Sequence, residues 1–184
     1  MKPTEQLIKE HDSIKVMLKV IEKVSQKLEA GDEVNPDHLA SIINFIRIFA
    51  DKCHHGKEED LLFSAMEEIG ISKESGPLGV MLSEHELGRK YVKGMDDGVS
   101  SHMRGENKAA LQIAENARNY ATLLTQHIYK EDNILYPMAD IHLSEEKQQE
   151  LIEEFEKVEQ EKIGIGKHQE LLNTLHYLSN IYLI

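Results

Sequence analysis

The chain has 184 residues, 40% of them apolar and only 5% aromatic, with no tryptophan and four prolines, which suits one helical domain rather than a β-sandwich or barrel. Its net charge of −12 argues against the basic patches that hold a nucleic-acid backbone or an anionic membrane surface. No run of about 18 apolar residues is present to span a bilayer, the polar N-terminus lacks the apolar stretch of a signal peptide, and the lone Cys53 precludes an intrachain disulfide, as expected of a protein in the reducing cytoplasm.

Apolar residues recur at spacings of three and four over residues 7–28 (Leu7, Ile14, Leu18, Ile21, Leu28), predicting an amphipathic helix that Gly31 stops. Asn35-Pro36 reads as an N-cap followed by proline in the first turn of a second helix. That helix runs to about residue 69, long enough to predict a bend or break near Gly56 or in its first turns. Ser75-Gly76-Pro77 opens a third helix reaching about residue 102, and Gly105-Glu106-Asn107 is the next turn. A fourth spans about 108–136, with Pro137 ending or kinking it. Ser144 caps a fifth, heavily charged helix, and Gly164 and Gly166 separate it from a short last one over about 167–182. Four principal helices with short connections predict an all-α, up-down antiparallel four-helix bundle over residues 1–142. Residues 143–184 are expected to pack as a helical extension across one end of the same domain.

Ten histidines are present, and their placement forms an internal repeat. His54-His55-Gly56-Lys57-Glu58-Glu59-Asp60-Leu61-Leu62-Phe63 aligns with His127-Ile128-Tyr129-Lys130-Glu131-Asp132-Asn133-Ile134-Leu135-Tyr136. The histidine, the lysine three on, the glutamate four on and the leucine eight on are identical. Glu10-His11 likewise matches Glu84-His85, each histidine followed four residues later by a base, Lys15 or Arg89. His11 and His54 are 43 residues apart, His85 and His127 are 42 apart. Helices one and two therefore repeat as helices three and four.

The chemistry follows from helix geometry. Residues at i and i+4 share a face, so His54 with Glu58, and His127 with Glu131, aim an imidazole and a carboxylate at one point in the core. A carboxylate bridges two cations and an imidazole binds one, so four histidines and two glutamates suit two metals. Burying two glutamates among helices is costly unless cations offset them. His55 and Glu59 also stand four apart, but the His54 register keeps more identities. The candidate metal ligands are thus His11, His54, Glu58, His85, His127 and Glu131, with His55 and Glu59 around them or at the surface. These donors suit iron, manganese or zinc.

In these residues the sequence resembles the hemerythrin-like (HHE) family, whose hallmark is two His-x-x-x-Glu segments plus single histidines on the two other helices. The likeness covers about residues 10–138. It implies a four-helix bundle around a non-haem di-iron centre of the oxygen-bridged type, with the four histidines as terminal ligands and Glu58 and Glu131 bridging. It tilts the metal to iron over manganese or zinc. Oxygen-carrying hemerythrins have a further histidine where Arg89 stands and a final bridging aspartate at five rather than a glutamate at four. The resemblance therefore implies that one iron lacks a protein ligand and has room for water or an added ligand. Ser64 replaces a common proline. The cysteine-bearing N-terminal domain of the iron–sulfur repair proteins is absent from the sequence.

The expected function is binding of dioxygen, nitric oxide or peroxide for sensing, storage or stress protection. The alternatives are a peroxidase-, catalase- or oxidase-like enzyme and an iron-handling module. Histidines outnumbering glutamates two to one, with no acid–base pair beside them, favour a binding protein over an enzyme. A protein partner is not indicated, and either a monomer or a homo-oligomer fits. His38, His102 and His142 fall near loops and are expected in solvent, while His168 and His176 are read as packing or surface residues. Cys53 is expected as a small apolar filler, Lys15 and Arg89 as partners of acids or solvent, and Tyr129, on the turn between His127 and Glu131, as a residue outside the pocket, with a reach into it as the lesser alternative.

Overall fold

A computed structural model describes residues 1–106 and 108–184. The first helix, α1, spans Pro3–Glu29, and Gly31 beyond it adopts the left-handed conformation (φ 81°) that closes it. α2, Pro36–Phe45, begins as expected: Asn35 Oδ1 accepts the Asp37 amide at 2.9 Å and Pro36 fills the first turn.

The rod that α2 starts does not break at Gly56. It continues through two stretches of wide, i→i+5 hydrogen-bonded turns, Ile46–His55 and Glu58–Leu62, into α3, Phe63–Glu68. α4 spans Gly76–Met103 and α5 spans Ala109–Lys130. Of the predicted turn between them, Gly105 is left-handed (φ 78°) and Asn107 lies outside the described residues. A third wide stretch, Glu131–Leu135, leads into α6, Tyr136–His142. Pro137 therefore does not end the helix. A proline ring clashes with the carbonyl four residues back, and the widened turn immediately before it gives that carbonyl room.

α5 packs against α4 and α1, and α2 packs against α4, so the four rods form the expected all-α bundle. Along the α4–α5 seam the backbones approach closely: a Cβ on Gly98 would stand 2.7 Å from Ile113 Cγ1. α7, Glu145–Lys157, is capped by Ser144, whose hydroxyl accepts the Lys147 amide. A fourth wide stretch, Val158–Gly164, precedes α8, Lys167–Tyr182. The extension does not merely cross one end. α7 contacts α1 and the Glu58–Leu62 stretch, while α8 lies on α1 and α2, because Leu151 and Phe155 on one helix and Leu171, Leu175 and Leu178 on the other are buried.

Two apolar clusters result. One holds Ile14, Ala50, Val92, Leu124, Ile128 and the buried leucines of α8. The other holds Leu7, Leu62, Phe63, Met81, Leu135, Tyr136 and Phe155. On each rod the change from one cluster to the other brackets a candidate ligand: His11 between Leu7 and Ile14, Glu58 between Ala50 and Leu62, His85 between Met81 and Val92, Glu131 between Ile128 and Leu135. The polar residues form a layer between two oily ones. No helix among the described residues is long and apolar enough to cross a membrane.

Candidate metal centre

His11, His54, Glu58, His85, His127 and Glu131 are all buried, and none is more than 1% exposed. Two groups of donor atoms, each within 4.8 Å of one another, meet in this layer: His11, His54, Glu58 and Glu131 in one; His55, Glu58, His85 and His127 in the other. Glu131 also reaches the second group. Its Oε2 lies 3.2 Å from His11 Nε2, while its Oε1 lies 2.9 Å from His127 Nε2 and 3.9 Å from His85 Nε2. Glu58 Oε2 stands 3.8 Å from His54 Nε2 and 3.4 Å from His85 Nε2. Both carboxylates touch histidines of both groups.

His55, expected outside the ligand set, is buried and stacks on His85 with ring centroids 3.8 Å apart. The wide turns are the reason. In a regular helix neighbouring side chains diverge by about 100°, but a wider turn reduces that step, so His54 and His55 both face inward. The side expected to lack a ligand because Arg89 replaces a histidine on α4 thus receives an imidazole from the opposite rod.

Around this layer lies a shell of carboxylates. The Nδ1 atoms of His11, His54, His85, His127 and His55 stand 2.6, 2.9, 2.7, 2.8 and 3.2 Å from Asp132, Glu10, Glu59, Glu84 and Asp51. An imidazole that donates from Nδ1 presents a lone pair at Nε2, so each ring is set to receive a cation at the nitrogen facing the centre. Each carboxylate is held by a base in turn: Asp132 by Lys15, Glu10 by Lys57, Glu59 and Asp51 by Arg89, Glu84 by Lys130. The repeat seen in the sequence is therefore also a repeat of these outer contacts, crossed between helices. Glu10 serves His54 rather than its neighbour His11, and Glu84 serves His127 rather than His85. Lys15 and Arg89 pair with acids, one of the two expectations for them.

Electrostatics agree with the geometry. Burial disfavours charge on Glu10, but His54 and Lys57 outweigh it and hold the carboxyl down at about 2. Burial lowers His11, yet Asp132 and Glu131 raise it to about 9. The same contest drives His85 well above the ordinary histidine range and Glu131 well below the carboxylate range. His55 goes the other way: burial and the neighbouring His85 push it well below its ordinary value. It stays neutral, with a lone pair free.

The two halves differ at the ring beside each α1 or α4 histidine. Phe63 stacks near His85, whereas Tyr136 stacks on His11 at 5.5 Å and donates its hydroxyl to Glu58 Oε1 at 2.7 Å. Burial and then Glu58 and Glu131 raise Tyr136 far above the usual phenol range, so it keeps its proton and acts as a fixed donor. Tyr129 is 66% exposed and plays no part.

Among the other histidines, His142 and His176 are exposed and His102 is half-buried. His38 is half-buried, its Nδ1 2.8 Å from the Tyr182 hydroxyl. Burial pushes the Cys53 thiol up to about 12, leaving it protonated and inert. It stands near Glu159 and His168, but the Glu159 charge is already met by the Lys57 ammonium at 2.5 Å.

The fit to a metal can be judged from what the protein leaves unpaired. His54 Nε2, Glu58 Oε2 and both oxygens of Glu131 are buried without a hydrogen bond among the described residues. The short contacts they make place imidazole lone pairs opposite carboxylate oxygens, an arrangement that repels unless a cation or a proton sits between. Cations fit this cradle.

A family model described as the hemerythrin HHE cation binding domain matches residues 2–139. Curated relatives include uncharacterized proteins of Mycobacterium bovis and Mycobacterium tuberculosis, each 22% identical over 169 residues, which is 92% of this chain and 66% of the relative. The chain thus spans slightly less than two thirds of the length of those relatives. No solved structure matches it.

Proposed function

The chain belongs to the hemerythrin HHE cation-binding family, and from that premise we propose that its core holds two iron ions and offers them to a small ligand (dioxygen, nitric oxide or peroxide) for sensing, storage or protection. The observation that carries this reading is the set of unpaired buried donors on Glu58, Glu131 and His54, met by inward Nε2 atoms from every rod. His11 and His54 would hold one ion and His55, His85 and His127 the other, with Glu58 and Glu131 shared. The carboxylates behind the rings make the imidazoles better donors and lock their orientation. Iron, when bound, would supply reversible ligand binding and one-electron chemistry. Tyr136, holding its proton and committed to Glu58, acts as an anchor for that carboxylate rather than as a proton shuttle, which favours a binding protein over an enzyme.

Metal analysis and an optical spectrum of protein grown with ample iron test this. About two irons per chain are expected, with visible bands that bleach under dithionite, return in air and shift with azide. A colourless, iron-free protein overturns the proposal. Oxygen evolution from peroxide that disappears in His54→Ala would transfer the site to the enzyme class.

Proton release provides a second check. Because His11 sits at about 9 and His85 well above its ordinary range without metal, both are protonated at neutral pH and must lose a proton to bind a cation. Metal affinity should therefore climb as pH rises from about 6.5 to 9, with two or more protons released at neutral pH, because His127, lowered by burial but raised further by Glu131, shifts the same way. Titration calorimetry in buffers of different ionisation enthalpy reads that number; a flat affinity across the interval would contradict the assignment.

A further inference from the structure

The chains of contacts behind the two His-x-x-x-Glu histidines end in different places. In the second half His127 leads to Glu84 and Glu84 to Lys130, whose side chain is 31% exposed. In the first half His54 leads to Glu10 and Glu10 to Lys57, whose side chain is wholly buried. The C-terminal extension supplies part of that cover. The Lys57 ammonium lies 2.5 Å from Glu10 Oε1, 2.5 Å from Glu159 Oε1 and 5.7 Å from the centroid of the Phe155 ring. Side-chain contacts thus run unbroken from a candidate ligand, through Glu10 and Lys57, into the extension.

The internal repeat carries the same one-sidedness. Gln6, four residues before Glu10, donates from Nε2 to Glu159 Oε1 at 2.9 Å, whereas Val80 stands four before Glu84. Asp60 pairs with Lys162 at 3.0 Å, and its counterpart in the repeat is Asn133. Both Glu159 and Lys162 belong to the Val158–Gly164 stretch. Val80 has no polar atom and Asn133 no charge, so the second half cannot hold such a segment in the same way.

A buried ammonium is costly unless carboxylates meet it, and one of the two that meet Lys57 comes from the extension. Displacing Glu159 leaves Lys57 and Glu10 to find other partners, and Glu10 is the group that orients the His54 ring. The effect runs both ways. A cation at His54 Nε2 draws electron density from the ring and strengthens the Nδ1–H bond to Glu10. That fixes Glu10 where Lys57 and Glu159 engage together. Coupling of this kind is reciprocal: whatever factor the docked segment adds to metal affinity, the metal adds to docking.

We propose that Lys57 and Glu159 are positioning residues that couple the C-terminal extension to the ion held by His11 and His54, so that the extension responds to one of the two metals and not to the other. The proposal rests on the two-iron reading above and deepens it, naming the element through which occupancy of the site is read.

Hydrogen exchange and chelator competition on the full chain test it, with iron(II) added to the metal-free protein without air. Amides of residues 155–164 should exchange about threefold or more slower with iron bound in the wild type, and that difference should vanish in Glu159→Ala. The same variant should surrender one iron at about tenfold lower chelator concentration, near the lower end of what loss of a partner behind a ligand costs, and hold the other as the wild type does. Glu159→Gln keeps the shape, removes the charge and should move the same way should Glu159→Ala not fold. Lys162→Ala frees the same segment from its exposed pair with Asp60 and should leave both affinities unchanged. Exchange over residues 155–164 indifferent to iron overturns the coupling, as do unchanged affinities in Glu159→Ala, a loss shared equally by both ions, or an equal loss in Lys162→Ala. Each of these leaves the di-iron reading standing. A wild-type protein that takes up no iron removes both.

Discussion

On the two-iron reading proposed above, Glu58→Gln is expected to lose both irons, whereas His11→Ala is expected to lose one. Glu58 is the carboxylate that belongs to both donor groups, fully buried, with Oε2 facing His54 on one side and His85 on the other. The amide keeps the volume and can still accept the Tyr136 hydroxyl now bound to Oε1. It cannot supply a negative charge, and its NH2 group turns protons toward a cation. Removing a partner behind a ligand typically weakens metal binding by about 10- to 100-fold, and a shared ligand acts on two ions at once, so losses beyond about 100-fold at each are expected. His11 belongs to one group only, and the three-histidine group should keep its ion in His11→Ala. Metal analysis after dialysis against graded chelator distinguishes the two variants. Two irons bound to Glu58→Gln at wild-type strength would remove Glu58 from the centre.

That Glu58 and His11 meet in one buried layer is legible in the sequence; that His55 joins them is not. The six side chains were legible because two rules agree: helical spacing puts His54 and Glu58, and His127 and Glu131, on single faces, and the repeat picks these residues from ten histidines. That same repeat discards His55, whose counterpart is Ile128, a buried member of the apolar cluster. A regular helix turns His55 away from His54, and only the wide turns of Ile46–His55 bring both inside; no sequence signal marks such turns. The outer contacts were half legible. Glu10, Glu84, Lys15 and Arg89 were visible as matched residues, but that Glu10 crosses to His54 depends on how two rods lie side by side. In the sequence Tyr136 is marked only as the match to Phe63, while Tyr129, between His127 and Glu131, is exposed.

Removing the metals should lower the melting temperature by more than about 15 °C, and it should loosen the ligand layer before the rest of the bundle. A ligand present at a thousandfold excess over its Kd stabilises by about 4 kcal/mol, and at roughly 2–4 °C per kcal/mol for a chain of this size, two ions account for that shift. In the metal-free protein, protons are expected to stand in for cations, and that substitution has a pH sign. His11 is raised to about 9 in the folded chain against an ordinary value near 6.5. The stability it contributes is thus fully present below about 6.5 and is lost as pH rises through about 9. Calorimetry should show the metal-free protein melting lower at pH 9 than at pH 6.5, with the iron-loaded protein holding its melting temperature across that interval. The weakness is also local. The apolar cluster around Ile14, Val92 and Leu124 contains none of the candidate ligands, whereas Glu58 and Glu131 begin wide stretches whose backbone bonds are poorer than those of a regular helix. On chelation, amides of residues 46–62 and 131–135 should lose protection from hydrogen exchange while those of α1 and α5 nearest Ile21 and Ala117 keep theirs. Equal melting with and without iron, or a metal-free protein firmest at pH 9, would mean that the layer between the two clusters is neutralised by something other than bound cations.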